Sequence, residues 1–327
     1  MHKNILIVVG ITILFLGTCI TPSVAIDNVK KSSALISNGN ILYVGGSGEG
    51  NFTKIQYAID NASNGDTVFV YNESSPYYEH IRVDKSINLI GEDKDTTVVG
   101  GDGLYVSVKN SNNVNIQSFT FIGGGESGVH IVFDYCSNCT FYDNIVQGDY
   151  LARGVGIYYS SEIKILKNYI ISNWSSIEID NSQNCIIENN YVGGYEKLSI
   201  MSEGISVDYS TNITIIHNHI SRCIYGIGII DSENITVIQN YISRCVWGII
   251  IVLPENVNII QNNFIRNIIY TTFSSNLKNL FCIYWDGNYW GRPRLLPHPI
   301  RGRLYLIPIP IVQFDWHPAK EPYDIGA

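Results

Sequence analysis

The chain is short of charge. Asp, Glu, Lys and Arg make up 15% of its 327 residues, well below the usual quarter. What charge there is leans acidic, −8 at pH 7, so the basic footprint of a nucleic-acid binder is missing. Methionine is scarce as well. After Met1 only Met201 remains, which removes a soft ligand that copper sites use. Beyond the first 25 residues no apolar run is long enough to cross a membrane, which excludes a transmembrane anchor from the mature chain. The middle of the chain also lacks the 3.6-residue apolar period of helices. Ile, Asn, Ser, Gly and Tyr are plentiful instead, and polar uncharged side chains are expected to cover the surface.

The N-terminus reads as a leader. Lys3 is the positive flank, Ile5 to Ile20 the apolar stretch and Ser23-Val24-Ala25 the small-residue cleavage site. A signal peptide over 1–25 and a linker over 26–40 follow, with export to the cell surface or beyond. Six cysteines remain: Cys136, Cys139, Cys185, Cys223, Cys245 and Cys282. Export permits disulfides, but Cys139 and Cys185 fall at core positions, and Cys223 and Cys245 stack one repeat apart, as a free pair in preference to a bridge. The Cys136-Ser137-Asn138-Cys139 spacing has no second pair to complete a zinc site.

A 22-residue beat organises the centre. Gly204-Ile205-Ser206-Val207, Gly226-Ile227-Gly228-Ile229 and Gly248-Ile249-Ile250-Ile251 open three equal segments. Asn212, Asn234 and Asn256 fall in register, and so do Asn218, Asn240 and Asn262. Such self-similarity marks a solenoid, in which each coil buries its apolar side against its neighbours. Within a coil Ile213 and Ile215 alternate with Thr214, which is strand periodicity. Short β-branched strands bounded by Gly, Ser and Asn give an all-β, right-handed parallel β-helix with three strands per coil. The column Asn168, Asn190, Asn218, Asn240, Asn262 predicts a ladder of stacked amides.

The two ends need covers. Thr53-Lys54-Ile55-Gln56 reads as a capping box opening a short helix, so 41–102 forms the N-terminal cap and first coils. Repeats fill 103–269. The last coil and a Pro- and Trp-rich cap take up 270–327. Tyr43-Val44-Gly45-Gly46, Ile55-Gln56-Tyr57-Ala58-Ile59, Gly65-Asp66-Thr67-Val68-Phe69-Val70 and Ser86-Ile87-Asn88-Leu89-Ile90-Gly91-Glu92 resemble the opening of secreted parallel β-helix repeat proteins. These are the NosD-like, or carbohydrate-binding and sugar-hydrolase, group found on archaeal surfaces. Asn288-Tyr289-Trp290-Gly291-Arg292-Pro293 and Phe314-Asp315-Trp316-His317-Pro318 are similar to the tail of its archaeal members. The resemblance implies sugar or envelope polymers as partners and identifies no catalytic residue.

Four groups of residues are candidates for chemistry. Glu178, Asp180 and Asp208 form a carboxylate cluster on adjacent coils, with Tyr158 in the Asp180 column and His130 in the Glu178 column. Carboxylate clusters serve calcium-dependent lyases and hydrolases, but no clear calcium motif and no Arg or Lys in register completes such a site. The plain alternative is that the Asp residues terminate strands. Arg222, Arg244 and Arg266 recur every 22 residues, with Tyr225 and Trp247 three residues after the first two. Arginine beside a ring suits an uronic or sulfated sugar; the alternative is a duplicated surface residue. Tyr169, Tyr191, His219 and Tyr241 form a third column, either a glycan platform or a sheet-stabilising stack. His217 and His219 are the only close histidine pair, and without flanking sulfur they do not make a copper site. The expectation is a binding module that needs no cofactor, with catalysis as the alternative and a structural envelope component as the third reading.

Overall fold

The computed structural model describes residues 39–124, 128, 130–148, 152–194, 202–305 and 309–325. The expected leader, the expected linker up to residue 38, Met201 and the centre of the expected Gly193–Glu203 bulge lie outside the described residues. The rest winds into a parallel β-helix. Sheet A has 11 strands, from Ile41–Val44 to Ile283–Asp286; sheet B has 10, from Tyr77–Tyr78 to Tyr289–Trp290; sheet C has 11, from Ile81–Val83 to Pro310–Asp315. One coil visits all three in turn, for example Tyr225–Ile230 in C, Glu233–Ile238 in A and Tyr241–Ser243 in B.

Alternation along the strands builds the core. Ile213 and Ile215 are fully buried while Thr214 between them is not. Registered neighbours Ile205, Ile227 and Ile249 in sheet C, and Ile213, Ile235 and Val257 in sheet A, form buried columns. Each such side chain contributes about 1.5–3 kcal/mol by leaving water. Cys139 and Cys185 are 0% exposed and stand where the sequence places them, in the column of Ile213. Cys223 and Cys245 are buried free thiols one coil apart.

The corners turn on single residues in the left-handed region. Lys167, Asn189, His217, Gln239 and Gln261 have φ of 55°, 56°, 54°, 51° and 53°, each just before a ladder asparagine. The bend leaves the next N–H pointing along the helix axis, where it needs an acceptor. The ladder supplies one. Asn240 Oδ1 accepts the Asn218 N–H at 2.9 Å and its side-chain amide at 3.0 Å, while Asn240 Nδ2 donates to the carbonyls of Ile215 and Ile238. The same bonds run from Asn144 to Asn288. A second ladder at the corner between sheets C and A, formed by Ser160, Ser182, Ser210 and Ser232, was hidden in the sequence. Each Oγ accepts the N–H of the preceding rung at 2.9–3.1 Å.

The N-terminal helix α1, Ile55–Asn61, buries Ile55, Ala58 and Ile59. Its start corrects the expected capping box, because no side chain at the local N-cap bonds the helix. Glu79, from the next coil, takes the N–H groups of Ile55 and Gln56 at 2.9 and 3.0 Å. A carboxylate suits the positive end of a helix whichever part of the chain carries it. At the other end the coil pattern runs on through Ile269–Ser275. An antiparallel hairpin, His298–Leu304 with Pro310–Asp315, then closes sheet C. Trp290 stacks on Phe264 at 4.6 Å and 6°.

Candidate functional site

Arg222, Arg244 and Arg266 occupy the corner between sheets B and C, with φ of 61°, 55° and 54°. That conformation throws each side chain outward while the next residue turns in. Tyr191, His219 and Tyr241 lie on sheet B beside them. Their rings stack in one column with Tyr169, at centroid spacings of 4.8, 5.0 and 4.7 Å. The arginine column and the ring column therefore line one cavity of about 320 Å³, together with Ser221 and Ser243. Tyr225 and Trp247 are elsewhere. They stack on each other at 5.2 Å at the start of sheet C and do not line this cavity. Register explains the exchange: residues three positions after each arginine have passed the corner, whereas those three positions before have not.

No described carboxylate lies within 4.0 Å of these three guanidinium groups, since none appears among the ion pairs of the described residues. The His219 imidazole is held below its ordinary pKa by burial and then by Arg244. Both effects favour the neutral ring, so the positive charge of the groove comes chiefly from the arginines.

The carboxylates are on sheet C. Asp180 and Asp208 are registered partners, and Tyr158 precedes them in the same column. His130 does not share the column of Glu178: Val132 does, through Gly156, because the extra residues of that coil precede the strand. An arginine outside that register does reach the cluster. Arg153 reaches Glu178 at 3.3 Å and lies 5.8 Å over the Trp174 ring, and the Tyr158 hydroxyl donates to the same Glu178 oxygen at 3.0 Å. The sequence concealed Arg153 because it comes from the preceding coil and not from the same register. The Asp208 carboxyl is pushed up to about 6, first by burial and then by Asp180 and Glu178, against a bond from the Ser206 hydroxyl. Glu203 is also raised, by burial and then by Asp208 and Glu178. His130, packed between Tyr105 and Tyr158, is lowered to about 4 by burial and Arg153.

Stacked three-stranded coils, two buried polar ladders and an outward row of arginine and aromatic side chains define a parallel β-helix repeat protein. Residues 59–295 match the family described as periplasmic copper-binding protein (NosD), and the chain belongs to that family. A cell surface glycoprotein of Methanothermus fervidus is 29% identical over 157 residues, which cover 44% of this chain and 26% of that protein. Among solved structures, the A-module of the mannuronan C-5 epimerase AlgE6 of Azotobacter vinelandii aligns at 13% identity and TM-score 0.45, covering 72% of this chain and 87% of that one. The catalytic domain of a GH87 α-1,3-glucanase in complex with nigerose aligns at 12% and 0.47, covering 89% and 67%. Likenesses this distant say nothing about activity.

The family description names copper, but the close histidine pair and the buried thiols are engaged elsewhere. His217 Nε2 is engaged with Gln239 Oε1 at 2.8 Å. His219 is held between two tyrosine rings. Five of the six described thiols are buried, bonding to backbone carbonyls or facing the core. Among the described residues no three His, Cys, Asp or Glu side chains gather as a metal site. The described side chains assemble no donor set that fits copper. Among the described residues no helix is long and apolar enough to cross a membrane.

Proposed function

We propose that this chain is an exported β-helix module that binds an acidic carbohydrate or cell-envelope polymer along the corner between sheets B and C, without transforming it. The observation that carries this reading is the single cavity shared by Arg222, Arg244, Arg266 and the rings of Tyr191, His219 and Tyr241. Like charges stacked coil upon coil repel unless an anion sits between them. A guanidinium fork grips a carboxylate or sulfate in two bonds, and the ring faces take the C–H side of a sugar. The repeat sets arginines about 4.8 Å apart, so a polymer lying along the axis meets several at once. A surface location accords with the leader expected from the sequence and with the glycoprotein relative.

The test is a glycan array of uronate and sulfated polymers, followed by salt titration. Binding should weaken as salt rises, because exposed charge is screened within about 8 Å at physiological ionic strength. Arg222→Gln, Arg244→Gln and Arg266→Gln combined should abolish it with the fold intact. Equal binding by wild type and triple variant would reject the groove and leave a structural envelope role. The carboxylate face gives a second reading, as a hydrolase or lyase. It is favoured by two elevated carboxyls beside an Arg-held Glu178. That reading requires reducing ends to appear from a bound polymer, and their release to stop in Asp180→Asn and Asp208→Asn.

A further inference from the structure

At the corner between sheets C and A, four successive coils place Tyr135, Tyr159, Asn181 and Tyr209 at one position. All four are left-handed, with φ of 54°, 48°, 48° and 48°. All four donate their N–H to a carbonyl of the next coil at 3.0–3.2 Å, so the backbone repeats from rung to rung. Tyr135 and Tyr159 stack at 5.1 Å and 9°. The stack then misses a rung. Asn181 is short, and its amide turns aside to Asp180 Oδ1 at 3.0 Å. Tyr159 and Tyr209, 52% and 60% exposed, line one cavity of about 270 Å³ together with Asn181, Ser161, Gln183 and Thr211.

Two rungs of a parallel sheet separate these positions by about 9.6 Å. A flat ring held at carbon contacts of about 3.5–4.0 Å on both faces needs only about 7–8 Å. The surplus suits a puckered ring with hydrogens on both faces, and the electron-rich faces of tyrosine attract those hydrogens. No basic side chain lines the cavity. Asp180 and Asp208 directly precede Asn181 and Tyr209, so an anionic sugar is disfavoured here. We propose that the missing rung between Tyr159 and Tyr209 is a clamp for one uncharged pyranose residue of a glycan. Its place in the fold and its charge preference are independent of the arginine groove.

The test titrates the whole chain with cellohexaose, maltohexaose and mannohexaose, following heat and tyrosine fluorescence. At least one should bind saturably, with an affinity that salt does not change. Tyr159→Ala and Tyr209→Ala should each weaken it about tenfold, equivalent to about 1.4 kcal/mol. Asn181→Tyr should complete the stack, fill the gap and abolish binding with no fall in Tm, because tyrosine already occupies this backbone conformation on three neighbouring coils. That variant decides the matter even if an alanine variant fails to fold. The arginine triple variant should bind neutral oligomers as wild type does, which separates the two sites. The clamp is wrong if none of the three oligomers binds, if Asn181→Tyr binds as wild type does, or if salt removes the binding.

Discussion

Asp208 shows what one side chain owes to its coil. Ser206 bonds one carboxyl oxygen, and the other is buried without a partner. Asp180 and Glu178 face it from the coil before. Its folded pKa of about 6 exceeds the ordinary 3.8, so the folded chain holds this proton more tightly than the unfolded chain. The stabilisation it gives is present below about pH 4, is lost as pH rises through 6, and stays lost above. Asp208→Asn should remove that loss. The variant's Tm minus that of wild type should grow between pH 4 and 6.5 and level off beyond, as followed by calorimetry. A flat difference would mean that Asp208 ionises freely. The sequence places Asp208 beside Asp180 by counting, but it could not reveal Arg153. That requires knowing which coil a long side chain leans toward, and strand alternation does not encode it.

At the scale of the coil, the buried amides are the most exacting element. Asn240→Leu would leave the Asn218 N–H without an acceptor and remove three further bonds, from the Asn218 side-chain amide and to the carbonyls of Ile215 and Ile238. A buried group left unpaired costs about 1–3 kcal/mol and each lost bond about 1 kcal/mol, so the variant should lose about 3 kcal/mol or more in chemical denaturation. Asn234→Leu, at a half-buried corner outside the core, is the control and should cost less. A variant as stable as the control would refute the ladder. Asparagine at a fixed interval is easy to see in the sequence, and this ladder was legible for that reason. The serine ladder escaped notice because Ser160, Ser182, Ser210 and Ser232 stand among many other serines, one of which, Ser161, is next in sequence. Likewise Glu79 lies 24 residues from the N–H it caps, beyond any local motif. Repeats with an insertion were the other blind spot: the pattern gave the coil containing His130, but which side of the strand held the extra residues depended on the turn.

For the whole molecule, stability is close to a sum over neighbouring coils, and the ends matter most. Asp315 is 0% exposed and closes the amide ladder. Its Oδ2 accepts the Asn288 N–H at 2.9 Å, the Asn288 amide at 3.2 Å and the Trp290 indole N–H at 2.9 Å. Asp315→Ala leaves two buried donors, the Asn288 N–H and the Trp290 indole N–H, without an acceptor and removes one of the two bonds of the Asn288 amide, and should lower Tm by roughly 5–10 °C and raise light scattering as the last coil frays. Asp315→Asn keeps an acceptor oxygen and should recover most of the loss. If alanine and asparagine behave alike, the carboxylate does not act as the ladder's end.

Asp315 also determines how the molecule can grow. An asparagine receives bonds from one side and passes them to the other, whereas a carboxylate only receives. It acts on the ladder as a chain terminator acts on a polymer, halting propagation without regard to how many units came before. Coil number is therefore free to vary upstream of an unchanged end. Duplicating one 22-residue unit such as Gly226–Trp247 would lengthen the rod by about 4.8 Å, adding one amide and one arginine together. Such a protein can be fitted like a ruler to the spacing of whatever lies along it.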